Sequence, residues 1–145
     1  MPDIPVIKGV ATGLTPAEKI YLIRHLNQVS TILEIKEKAS LAAARKFPRA
    51  GQHNGKGDAF RHCYASALLA RDIGAKGAKE FTTAHENYSA NPAGERAMDL
   101  HNNAIGIQIG ARKKSPTDAQ LETACMNALL AGYLETSPPA VGDAY

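Results

Sequence analysis

A clean helix start followed by a long apolar stripe constrains this chain most. Thr15-Pro16-Ala17-Glu18 puts a threonine at the N-cap, a proline in the first turn and a glutamate placed to close a capping box. Ile20, Ile23, Leu26, Val29, Ile32, Leu33 and Ile35 follow at roughly the helical period, and the pattern runs on to about Phe47. That is long for one helix, so the spacing predicts a break near Gln28 to Thr31. A chain that opens this way must bury helix faces against one another. Abundant alanine and scarce β-branched runs point the same way.

The remaining segments repeat the pattern. Phe47 to Gly57, with Pro48 and three glycines, reads as a long loop. Helices are predicted from about Asp58 to Asp72, with Gly74 as the stop, and from Ala75 to Asn87. Tyr88 to Gly94 is a turn, a further helix spans about Pro92 or Ala93 to Arg112, and Ser115-Pro116-Thr117-Asp118 is a second capped start for a closing helix from Ala119 to Leu134. The expectation is an all-α, single compact domain of about five to six helices over 14–136, with a polar site between the central helices. An extended lead-in (1–13) precedes it and a tail (137–145) follows. With 145 residues, 44% of them hydrophobic, the chain is large enough for one apolar core and too apolar for disorder.

Composition narrows the function classes. The formal charge of +3 is mild and spread over Lys36/Lys38, Arg45/Lys46/Arg49 and Arg112/Lys113/Lys114. An anionic substrate is permitted, but without a dense basic stripe or much aromatic interleaving a nucleic-acid target is the weaker reading. No basic-plus-apolar leader and no apolar run of 18 residues occurs, so a membrane span is not expected and any export would proceed without a cleaved signal peptide. Cys63 and Cys125 are too few for a disulfide framework. Each lies among Ala, Leu or Met at helical spacing, which suits buried free thiols, with one bridge between them as the alternative.

Candidate chemistry gathers in three pieces. Asp58, Arg61 and His62 stand at i, i+3 and i+4 and share a helix face. Asp58 alone is also a natural first-turn acid, and Arg61 its surface partner. Because that side continues as Ala65, Ser66 and Leu69, His62 is expected to be partly buried and to need hydrogen-bond partners. The second piece is His85-Glu86. His85 follows the Ala78, Phe81, Thr82 stripe, as a satisfied core histidine also would, and no second histidine completes a zincin motif. The third is Asp99, Asn102, Asn103 and Gly106 at i, i+3, i+4 and i+7, poor helix formers clustered on one face in mid-helix. Gly106 there permits close approach of a helix or ligand. His101 tends to the Met98/Ile105 side and ranks lower, His25 beside Arg24 suits a capping role, and His53 and Asn54 sit in the loop leading to a helix N-terminus, where anions bind.

There is no nucleophile elbow and no glycine-rich phosphate loop after a strand. His62, His85, Glu86, Asp99 and Arg61 are therefore the candidate catalytic residues, suited to hydrolysis of a phosphodiester or related ester. Asp58, Asn103, Asn102, His53 and Asn54 are the candidate substrate contacts. His62, His85 and Asp99 are candidate ligands for a divalent metal ion.

The run Gly57-Asp58-Ala59-Phe60-Arg61-His62, followed by Ala84-His85-Glu86, Asn91-Pro92 and Met98-Asp99-Leu100-His101-Asn102-Asn103-Ala104-Ile105-Gly106, resembles a family of bacterial toxin-type domains. These domains are often found at the C-termini of large secreted Rhs- or haemagglutinin-like proteins. The chain departs from that pattern at His101, where the family commonly has an aromatic residue, and at Tyr64, where a tryptophan often stands. The resemblance implies an enzymatic effector used against competing bacteria, carried by a delivery or secretion machinery and countered by a cognate immunity protein. It does not imply a substrate. Helical proteins that cleave phospholipids or lipid-linked cell-wall precursors use similar residue sets, so an envelope target met in the periplasm is the favoured expectation. A nuclease toxin is one alternative. A non-catalytic helical binding or adaptor domain, its polar face a packing network, is the other.

Overall fold

In the computed structural model, described for residues 13–48, 55–87, 92–112 and 114–137, the first turn of the chain forms as its residues dictate. The Glu18 N–H donates to Thr15 Oγ1 (3.1 Å) and Glu18 Oε1 accepts from the Thr15 N–H (2.8 Å), which closes the capping box. Helix α1 spans Pro16–Arg24 and α2 Val29–Lys46, joined by a 3₁₀ turn over Leu26–Gln28. The break thus falls at His25, slightly ahead of the expected place. There Nδ1 of His25 lies 2.8 Å from the Tyr21 carbonyl oxygen and its ring stacks on Tyr21, so His25 closes the end of α1. The break also resets the phase of the stripe. Ile20, Ile23 and Leu26 are exposed while Tyr21 and Leu22 enter the core; from Val29 onward, Ile32, Leu33 and Ile35 are buried as the period predicts.

Helix α3 (Gly55–Ile73) is the axis of the molecule, packed against α2, α4 (Ala75–Glu86), α5 (Ala93–Gly110) and α6 (Asp118–Leu130). It begins three residues before the expected start. Gly55 adopts φ +86, which glycine tolerates, and its N–H donates to the Thr136 carbonyl (2.8 Å), so the C-terminal turn holds the front of the helix. Phe60, Cys63, Tyr64, Ala67 and Leu68 are completely buried. So are Asp58, Ser66 and Leu69 on the opposite side, as befits a helix covered all round.

Helices α3 and α5 touch backbone to backbone. A Cβ on Gly106 would fall on the Cys63 carbonyl, and one on Gly110 on the Ala67 carbonyl. Gly106 therefore serves helix approach, with Gly110 one turn on doing the same. Helix α6 starts with a second capping box, Thr117 with Gln120, and ends at Leu130, where Gly132 at φ +83 turns the chain. Among the described residues the fold is six α-helices with no strand, in one compact domain. No described helix is long and apolar enough to cross a membrane. The expected lead-in up to residue 12, the tail from 138, and the candidates His53 and Asn54 lie outside the described residues.

Candidate active site

The i, i+4 spacing on α3 sets Asp58 beside His62, and α5 delivers Asp99 to the same ring. His62 Nε2 is 3.4 Å from Asp58 Oδ1 and 3.4 Å from Asp99 Oδ1. On the other side of the ring, Nδ1 lies 3.3 Å from Asn103 Oδ1 and 3.8 Å from Glu86 Oε2, at the end of α4. Asn103 is the junction of this network. Its Oδ1 also accepts from Ser66 Oγ (3.2 Å), and its Nδ2 donates to Glu86 Oε2 (3.5 Å). With oxygens on both sides, the imidazole is framed as a double donor, the arrangement of a protonated histidine. The Arg61 guanidinium also donates to Asp58 Oδ1.

Electrostatics follow from this crowding. Burial works against charge on His62, but the Asp58 hydrogen bond and the charges of Asp99 and Asp58 outweigh it and raise its pKa. Burial also opposes ionisation of Asp58, yet His62 and Arg61 hold its carboxyl below the usual range. Asp99 goes the other way. Burial, with Glu86 and Asp58 as like-charged neighbours, lifts it to about 6 against the pull of His62. Its Oδ1 is buried and makes no hydrogen bond, so the contact with the His62 ring is one of charge alone.

His62 lines a cavity of about 160 Å³ bounded by α2, α3, α4 and, through Asn103, α5. Ile35, Ala39, Ala65, Leu69 and Phe81 make apolar walls, and the basic side chains of Lys36, Arg61 and His85 also line it.

The structure brings Asp58, Arg61, His62, Glu86, Asp99 and Asn103 together, and the other described candidates are engaged differently. His85 reaches the same cavity, its ring centre 6.4 Å from that of His62, but its Nδ1 rests 3.1 Å from Glu18 Oε2. In the metal-type triad Asp58 accordingly takes the place expected for His85: Asp58, His62 and Asp99 offer ligand atoms within 4.8 Å of one another. Asn102 is fully buried, and its amide is spent on the backbone of Glu135, donating to the carbonyl (2.8 Å) and accepting from the N–H (2.9 Å). His101 is exposed, with Nε2 2.8 Å from the Tyr133 carbonyl.

Sequence reasoning missed Glu18, Lys36 and Ser66. Glu18 is completely buried and meets two groups besides its own cap: Oε2 accepts from Lys36 Nζ (2.9 Å) and lies against His85, while the Thr15 hydroxyl beside it donates to the Ala84 carbonyl (2.7 Å). A capping glutamate has a complete local explanation, which hides a second role 67 residues away. Lys36 sits in a run of charged residues that reads as a solvated face.

Fold and site together define an all-helical domain with a buried histidine–carboxylate cluster opening onto a partly apolar cavity. The chain belongs to the family described as a domain of unknown function (DUF6973), which it matches over residues 19–132, a span that contains every member of the cluster. No solved structure matches it.

Proposed function

We propose that this domain is a hydrolase of the toxin or effector type, acting on an ester or phosphodiester of an amphiphilic envelope lipid or lipid-linked precursor. The observation that carries the reading is the position of His62: its ring lies within a buried carboxylate cluster and also lines an apolar-walled cavity. A packing network alone accounts for neither the cavity nor a buried aspartate oxygen left without a hydrogen bond. In this reading His62 presents a proton to the leaving oxygen, with Asp99 behind the ring supporting its charge, and His85, which lines the same cavity, accepts the proton of the attacking water. Arg61 stabilises negative charge developing on the substrate. Asn103 and Glu86 hold the ring in register.

The cluster is arranged to favour a positive charge, either the proton on His62 or a divalent cation in its place. Asp58, His62 and Asp99 are the residues that would hold such an ion, and the unpartnered Asp99 oxygen fits a ligand role. Bound there, it would supply Lewis acidity and lower the pKa of a water. Delivery by a secretion machinery, neutralisation by an immunity protein and action in the periplasm belong to the same proposal.

The test is expression in a bacterial host with and without an export signal. Growth arrest confined to the exported protein, abolished in His62→Ala with the helical unfolding transition retained, is the expected result. A folded His62→Ala protein as toxic as the parent removes His62 from the chemistry. Arrest from cytosolic protein with loss of DNA or RNA favours a nuclease instead.

A further inference from the structure

Cys63 and Cys125 take no part in the chemistry above. Both are free and fully buried, one on α3 beside His62 and the other on α6, with their sulfurs 3.1 Å apart. Around them Leu121, Ala128 and Leu129 pack α6 into the core, and its outer side carries partly exposed ion pairs, Lys38 and Arg71 to Asp118 and Arg45 and Lys46 to Glu122, each a weak restraint in water. Yet the turn that follows α6 secures the site helices, through Thr136 to Gly55 and Glu135 to Asn102. A firm joint between α6 and α3 would hold that turn in place.

We propose that Cys63 and Cys125 form a disulfide site, oxidised when the domain folds in an oxidising compartment, which locks α6 onto α3 next to His62. The Cys63 thiolate of the incompletely folded chain attacks one sulfur of an external low-molecular-weight disulfide. That S–S bond breaks and one thiol leaves. The Cys125 thiolate then attacks the Cys63 sulfur of the mixed disulfide, forming the internal bond and expelling the second thiol. The protons lost by the two cysteines end on the two leaving thiolates; the cysteine pair is oxidised by two electrons and the external disulfide is reduced. Once the core has closed, the neighbouring Cys63 thiol and burial push the Cys125 thiol up, so exchange belongs to folding rather than to the finished domain. The cysteines are 62 residues apart in sequence and enclose α4 and α5, a loop long enough for the bond to restrict the unfolded chain strongly.

This inference does not depend on the hydrolase reading. Its test is the mass of the chain after refolding from the reduced, denatured state with oxidised glutathione, followed by denaturation and alkylation. The expected product is a monomer two hydrogens lighter that carries no alkyl group, with a thermal midpoint that drops by about 10 °C on adding a reductant. In the Cys63→Ala, Cys125→Ala double variant the reductant leaves the midpoint unchanged. A refolded chain that takes up two alkyl groups, retains glutathione or is linked to a second copy overturns the proposal.

Discussion

Two of the carboxylates buried beside a histidine, Glu18 and Asp99, have opposite fates. Glu18 is fully satisfied: Thr15 donates to one oxygen, and Lys36 and His85 face the other. Burial alone would raise its pKa, but the His85 hydrogen bond and the Lys36 charge bring it down to about 2. Asp99 shares its pocket with Asp58 and Glu86, has an oxygen without a hydrogen bond, and is lifted to about 6. Burial is similar for both, at 0% and 7% exposure, so it does not decide the outcome. The sign of the neighbours does. The first pair fastens α1 and α2 to α4; the second keeps a carboxylate in a costly state, which is where function is to be sought.

The largest expected effect comes from breaking the satisfied pair. The drop in Glu18 from 4.5 to about 2 corresponds to about 3 kcal/mol of folding stability at neutral pH. Because the folded carboxyl titrates below the unfolded one, this contribution is complete above about pH 5 and is lost as pH falls toward 2. Glu18→Gln should therefore lose about 3 kcal/mol in urea unfolding at pH 7 and much less near pH 3. An equal loss at both pH values would assign Glu18 a purely local capping role.

The next effect bears on the unsatisfied pair. If Asp58, His62 and Asp99 hold a divalent cation, Mn²⁺ or Zn²⁺ at a hundred times its dissociation constant should stabilise the domain by about 2.7 kcal/mol. Metal binding displaces the His62 proton, so the shift should shrink as pH is lowered. Asp58→Asn should abolish it. A shift that survives in that variant places the ion elsewhere.

The two pairs also differ in how far they could be read in advance. Asp58 and His62 were legible because i, i+4 spacing is a local rule, and Asp99 with Asn103 because polar residues in mid-helix contradict helix propensity. Gly106 was legible for the same reason. Gly110 ends an apolar run and gives no such contradiction, although it meets the Ala67 carbonyl as closely. The Glu18–His85 pair was illegible: each partner had a sufficient local explanation, a cap for one and an apolar stripe for the other. The phase of α1 was misread because a single turn at His25 rotates everything before it. Local chemistry thus revealed which residues clashed with their surroundings, whereas those that agreed with them on two levels stayed hidden.

The smallest effect is the most discriminating, because its sign opposes that of the first. Asp99 titrates near 6 in the folded domain and near 3.8 in the unfolded chain, so ionising it costs folding stability. The cost is absent below about pH 4, grows as pH rises and is complete above about pH 6. Asp99→Asn removes it, at the expense of burying an amide beside Asp58 and Glu86 and of losing a charge partner for His62. A net gain of about 1–2 kcal/mol is expected at pH 7, fading as pH falls toward 4, together with a fall in any activity that needs the charge on His62. A destabilised Asp99→Asn protein at pH 7 would mean that the Asp99–His62 charge contact outweighs the repulsion around it. The two carboxylates would then be alike, both structural, and the case for a strained acid–base site would rest on the cavity alone.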